Sequence, residues 1–263
     1  MTTDASTRQR APGHARRARR RPRISVIGIL GELLIAAGVL VGLFVVWQLF
    51  YTDVQGERAQ REVVEETEWV DPSIVAGVSA GDGPVTIPDE LKMRGIDPPA
   101  MDYPDFTEAF AAMMVPRWGE DYVKMVHEGV TRPDVLDPLG IGHYPDTALP
   151  GETGNFAISA HRTTYGKPFT DIDTLREGDA LIFQTEDAWF VYHVESWEIV
   201  LPRDVQVIAP MPNQPGVEPD DRYITLTTCH PRFSAAERWI VHGRLDYWAP
   251  TGHGTPEELH EVP

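Results

Sequence analysis

One cysteine stands among the 263 residues of this chain. A chain with a single cysteine forms no internal disulfide, so its fold owes nothing to covalent cross-links. The paired-cysteine spacings of structural zinc sites are missing too, and neither a metal nor a cofactor is expected. Basic charge is scarce beyond the N-terminus. From Leu33 onward 15 Lys and Arg face 38 Asp and Glu, within an overall formal charge of −17. So acidic a surface excludes nucleic acid as a partner. There is no internal repeat and only one long apolar run. The segment after Trp248, APTGHGTPEELHEVP, is short and polar, so no second membrane span is expected there.

The basic residues that do exist are gathered at the start. Residues 1–23 hold eight Arg (Arg8, Arg10, Arg16, Arg17, Arg19, Arg20, Arg21, Arg23) against one acid, Asp4. The apolar run follows directly: residues 33–50 read LLIAAGVLVGLFVVWQLF, and the apolar stretch extends back to Ile24 with Glu32 as its one interruption. A helix of ~20 residues crosses ~30 Å of hydrocarbon, which residues 24–51 satisfy. The run is too long for the core of a cleaved signal peptide, and no small-residue cleavage site follows it. Arg at one end and Trp47 and Tyr51 at the other predict a cytoplasmic N-terminus, a single-pass anchor and an extracytoplasmic remainder.

Residues 52–104 divide in two. The first part, to 70, is charged and helix-permissive and predicts a solvated stalk. The second, 71–104, is rich in Pro and Gly and predicts a linker without a core of its own. Residues 106–114 (FTEAFAAMM) suggest a short helix leading into the domain at 105–250, with 251–263 as a tail. Within the domain short apolar runs alternate with turn signals. Strands are predicted at 124–128, 155–160, 180–184, 189–200, 205–208, 222–229 and 238–247. Many short strands and few helices predict an all-β domain, a closed barrel or a sandwich.

The lone thiol lies outside the membrane on this topology, where free thiols meet oxidants. Cys229 ends the strand 222–229 (RYITLTTC), and His230-Pro231 begins a loop. Alternation places Thr225, Thr227 and Cys229 on one face and Ile224, Leu226 and Thr228 on the other. A packed, inert cysteine is the bland alternative. A cysteine nucleophile needs an acid–base partner and a donor for the oxyanion. Among nine histidines, His161 stands at the end of strand 155–160 before a polar loop. His230, adjacent to Cys229, points to the opposite face. His242 lies mid-strand, as a packed histidine does, and His143 sits in the loop 140–145. Arg238 opens the strand after the cysteine loop, and Arg244 shares its face further along.

These residues carry a resemblance. Thr225-Leu226-Thr227-Thr228-Cys229, then His230-Pro231 and Arg238, resembles the TLxTC…R signature of sortases. The block at 151–166, GETGNFAISAHRTTYG, resembles their histidine segment, and Val115-Pro116-Arg117-Trp118-Gly119 their opening strand. The likeness spans about 115–248. His161-Arg162-Thr163-Thr164-Tyr165-Gly166 and Cys229-His230-Pro231 are most similar to class E sortases of high-GC actinobacteria. An acidic calcium cluster of the kind some other sortases use is not evident.

The resemblance implies a closed sortase-type β-barrel and a cysteine transpeptidase on the outer face of a Gram-positive cell. It implies Cys229 as nucleophile, His161 as acid–base group and Arg238 as oxyanion donor, with Tyr165 and Thr228 as candidate substrate contacts. The implied substrates are secreted proteins with a C-terminal LAXTG-like signal cleaved between Thr and Gly, and the implied acceptor is an amine of a cell-wall precursor. Two other readings stand beside it: a pilin-polymerising sortase, and a membrane-tethered β module that binds an envelope component without catalysis.

Overall fold

Short apolar runs, most of them ended by a Gly or Pro turn, pair here into one sheet that closes on itself. The computed structural model describes residues 25–47, 51–70 and 85–260. The predicted basic tail at 1–23 and residues 71–84 of the linker lie outside the described residues. Eight strands form the barrel: β1 (Ala109–Met114), β2 (Val123–Glu128), β3 (Ile141–His143), β4 (Gly154–Ala160), β5 (Ala180–Gln184), β6 (Ala188–Val200), β7 (Arg222–His230) and β8 (Glu237–Pro250). Their order is β1-β2-β3-β4-β7-β8-β6-β5, and β5 returns to β1 with Ala112 opposite Gln184. β2–β3 and β4–β7 run parallel and the other neighbours antiparallel. Closure of this kind leaves no open sheet edge. The architecture is all-β: a closed barrel with short helical turns.

Apolar side chains fill both sides of the wall. Inside, Phe156, Ile158, Phe183, Tyr192, Ile224, Leu226 and Val241 form the core. Outside, Met114, Met125, Ile182, Trp189, Val191 and Tyr247 form a second cluster. That outer layer explains β1, where the sequence suggested a helix over 106–114. Ala and Met are good helix formers, but every residue from Phe110 to Met114 is buried, Ala111 and Met113 on one cluster and Ala112 and Met114 on the other. A strand buried on both faces loses its alternation and reads like a helix.

Two other strand predictions become turns. Val205–Ile208 is a one-turn 3-10 helix in the long β6–β7 connection. Among the described residues its β-branched side chains find no partner strand, and just before it Asp204 Oδ2 accepts from the Leu201 amide in a tight turn. Pro116–Trp118, in the segment likened to an opening strand, is also a 3-10 turn. Proline cannot donate to a ladder and suits the first position of such a turn.

The helix α2 (Thr52–Glu66) occupies the expected stalk, yet it is not solvated all round. Gly56, Gln60 and Val64, spaced by four, line one face and are buried. Val64 joins the outer cluster, a burial that contributes roughly 1.5–3 kcal/mol. The expected linker is likewise attached to the barrel over its described part: Thr86 bridges Thr255, Met93 bridges Trp248, and Ile87 is buried in the outer cluster.

The apolar helix α1 (Val26–Val46) forms a separate unit. It is long and apolar enough to cross a membrane, and none of its side chains is buried in protein.

Candidate active site

The strands β4, β7 and β8 are neighbours, and the three residues singled out by sequence lie at one end of them. Cys229 stands opposite Arg238 in the β7–β8 ladder. Ser159 stands opposite Thr227 in the parallel β4–β7 ladder. One residue further, Thr228 Oγ1 donates to the Ala160 carbonyl at 2.7 Å. His161, the next residue after Ala160, therefore falls at the level of Cys229. The side chains of β7 alternate as expected: Ile224 and Leu226 point into the core, and Cys229 lies half-buried on the other face.

His161 is held from one side. Its Nε2 lies 2.7 Å from Asp137 Oδ1. A carboxylate at that distance takes the Nε2–H and leaves the lone pair of the neutral ring on Nδ1. Asp137 follows a single π-type turn, Arg132–Leu136, and its amide donates to the Arg132 carbonyl. Burial lowers the His161 pKa, and the bond to Asp137 opposes that shift without cancelling it. On the other side the Tyr165 ring lies 5.1 Å from the imidazole. The Phe169 amide donates to the His161 carbonyl at 3.0 Å, and Phe169 is fully buried, so the loop is anchored at both ends.

Arg162 turns the opposite way from His161. It is buried, pairs with Asp173 at 2.7 Å and lies over the Trp239 ring at 5.3 Å. Its Nη1 donates to His230 Nδ1 at 2.9 Å. His230 thus belongs to this network behind the strands. Arg238 has a different attachment. Its Nη1 donates to the carbonyls of Ala235 and Glu237 at 3.1 and 2.9 Å, which fixes the guanidinium to the β7–β8 loop.

Further along the Cys229 face lies a buried polar group. Thr225 Oγ1 is 2.8 Å from Asn155 Oδ1 and 2.9 Å from His242 Nδ1. Burial lowers the His242 pKa against the opposing pull of Glu198, which lies 3.1 Å from Nε2. Asn155 Nδ2 donates to the carbonyls of Val207 at 3.3 Å and Ala209 at 3.0 Å. The β6–β7 connection is thereby tied across the strands, and this is why Thr225 is buried on the face that the sequence marks as polar.

Two sequence expectations change. Thr228, a candidate substrate contact, is 2% exposed and gives its hydroxyl proton to Ala160, so it joins the strand ends. His143, expected in a loop, lies in a strand. It is fully buried in β3, with Nδ1 2.5 Å from Glu128 Oε2. Asp137 was not singled out by sequence, because no spacing links it to a histidine 24 residues away. Asn155 lay inside the histidine block, but its role appears only when the loop packs on it. Among the described residues no group of three or more His, Cys, Asp or Glu is arranged to hold a metal ion.

A closed eight-stranded barrel of this connectivity defines the sortase class. Residues 113–246 match the sortase domain, and the chain belongs to the sortase family, whose members are cysteine transpeptidases. Its likeness is to class E. It is 34% identical over 258 residues to Sortase SrtE2 of Streptomyces coelicolor, covering 93% of this chain and 92% of that one. It is 32% identical over 250 residues to Sortase SrtE1 of the same organism, covering 91% of this chain and 63% of the relative. Among solved structures, the SrtA sortase from Actinomyces oris aligns with a TM-score of 0.60 and 44% identity, covering 64% of this chain and 95% of that one. Sortase E from Streptomyces avermitilis aligns with a TM-score of 0.54 and 39% identity, covering 59% and 99%.

Proposed function

We propose that this chain is a membrane-anchored transpeptidase that cleaves an LAXTG-like sorting signal between Thr and Gly and passes the acyl group to an amine of a cell-wall precursor. The observation that supports this reading is the strand register that sets Cys229, Arg238 and the His161–Asp137 pair at one end of β4, β7 and β8. Cys229 gives its thiol proton to His161, and Sγ attacks the threonine carbonyl carbon. The oxygen takes up negative charge in the tetrahedral intermediate. Arg238 has Nη1 tied to its loop and directs Nε and Nη2 to that oxygen, and loss of such a donor costs ~10²–10³ in rate. His161 donates a proton to the departing glycine nitrogen as the C–N bond breaks, leaving a thioester on Cys229. An incoming amine then attacks the thioester, its proton passes through His161 to Sγ, and the C–S bond breaks to free Cys229.

Asp137 orients the imidazole and favours its protonated form. Tyr165, against the His161 ring, is the candidate contact for the residue that distinguishes LAXTG from LPXTG. The Arg cluster before the apolar segment in the sequence supports a topology with the N-terminus inside and the barrel outside.

The test uses the full chain in detergent micelles with two quenched-fluorescent peptides, one bearing LAXTG and one LPXTG, and a Cys229→Ala control. Cleavage of LAXTG by the wild type alone, with a thioacyl mass on Cys229, is the expected result. Preference for LPXTG sinks the signal assignment and keeps the chemistry. No cleavage and no adduct with either peptide overturns the reading.

A further inference from the structure

A glycine in the interior of a helix costs about 1 kcal/mol relative to alanine. Gly56 sits within α2, and its reason is contact. A Cβ there would lie 2.6 Å from the carbonyl carbon of Tyr165, 2.7 Å from the Gly166 nitrogen and 2.8 Å from the Tyr165 oxygen. The approach is reciprocal, since a Cβ on Gly166 would lie 3.1 Å from the Glu57 nitrogen and the Gly56 carbonyl carbon. Helix backbone and loop backbone touch, and the loop is the one that follows His161. One turn earlier, Asp53 Oδ2 accepts from Lys167 Nζ at 3.0 Å, with the Asp53 side chain only 14% exposed.

The helix also reaches the other loop that bears on the imidazole. Gln60 is buried, and its Oε1 accepts from the Met125 amide at 3.1 Å. Its amide nitrogen lies over Gly140, where a Cβ would approach it to 2.6 Å. Gly140 adopts φ +97° and closes the turn after Asp137 by donating to the Val135 carbonyl. One face of α2 thus meets both loops: 132–140, which carries Asp137, and 161–167, which carries Tyr165.

We infer that α2, the helix that follows the apolar segment in sequence, is a positioning element of the site, holding through Asp53, Gly56 and Gln60 the two loops that orient His161. The inference rests on the proposed acid–base role of His161. It makes the juxtamembrane helix a working part of the catalytic domain rather than a spacer.

The groups bearing on the His161 ring are Asp137, with Arg132 behind it, the Tyr165 ring, and Cys229 by strand register. The test follows the His161 imidazole titration by NMR on the full chain in micelles with 13C-labelled histidine, alongside peptide turnover. The variants are Gly56→Ala and Asp53→Asn. A displaced loop exposes the ring, so in Gly56→Ala its pKa moves up toward the ordinary value, and kcat falls roughly tenfold or more with KM little changed. In Asp53→Asn the lost negative charge by itself lowers the imidazole pKa, so an upward shift there reports loosening and not charge. A His161 titration unchanged from wild type in both variants, or moved down in Asp53→Asn, overturns the inference. If Gly56→Ala does not fold, Asp53→Asn decides alone. A wild type that turns over neither peptide defeats the transpeptidase reading, and the titrations still decide whether α2 holds the imidazole.

Discussion

Thr228 Oγ1 and the Ala160 carbonyl oxygen lie 2.7 Å apart, and this single bond joins the end of the strand before Cys229 to the end of the strand before His161. The hydroxyl is buried, so water cannot replace it. Thr228→Val keeps the shape and removes the donor, which leaves a buried carbonyl short of a partner. We expect a loss of about 1–3 kcal/mol in unfolding free energy and a lower kcat with KM almost unchanged. Urea unfolding and steady-state kinetics check both, and an unaltered kcat would remove the positioning role.

Asp137→Asn takes away the charge that opposes the effect of burial on His161. Burial already holds that imidazole below its ordinary pKa, with Asp137 pulling the other way. Without the carboxylate the pKa falls further, and less of the ring is protonated to serve the leaving amine. The limb of kcat/KM that titrates with His161 should move to lower pH, and the rate near neutrality should fall roughly 10–100-fold. A pH–rate profile measures it. A limb that stays in place or moves up contradicts the orienting role.

Asn155→Ala cuts the tie between β4 and the β6–β7 connection at the Val207 and Ala209 carbonyls. The freed segment should exchange its amide hydrogens faster, and KM for the signal peptide should rise with a smaller change in kcat. Hydrogen–deuterium exchange over residues 201–217 is the direct readout. Unchanged protection there would mean that other contacts hold the connection.

His127 makes stability depend on pH. It is 2% exposed on β2, and burial pushes its pKa down from 6.5 to about 4, against two opposing backbone hydrogen bonds. Above pH 6.5 the ring is neutral in both folded and unfolded chains. Between pH 6.5 and 4 the unfolded chain takes up a proton that the folded chain refuses. Stability therefore falls as pH drops through this window, by about 3 kcal/mol at the limit. His161 and His242 are also lowered and add to the wild-type slope. Chemical unfolding at pH 7 and pH 4.5, wild type against His127→Gln, isolates the His127 share, and equal slopes would refute it.

Much of this molecule was legible in its sequence because the signals are local. Eighteen uncharged residues in a row need no partner to be read as a membrane-length helix. A strand that alternates Ile224, Leu226 and Thr228 against Thr225, Thr227 and Cys229 states its own two faces, and a lone cysteine at its end draws attention by itself. The tertiary structure decided what depends on a partner. Residues 109–114 became a strand because both faces are covered, one by the barrel core and one by the outer cluster that α2 joins. Val205–Ile208 became a turn because no strand lay beside it. The expected stalk docked because Gly56, Gln60 and Val64 form a face only when wound into a helix, and that face has meaning only against the loops of the barrel. Asp137 reached His161 through chain closure, which brings together residues far apart in sequence. Composition and spacing determine which groups are present and which way they point along an element. Only packing determines which of them meet.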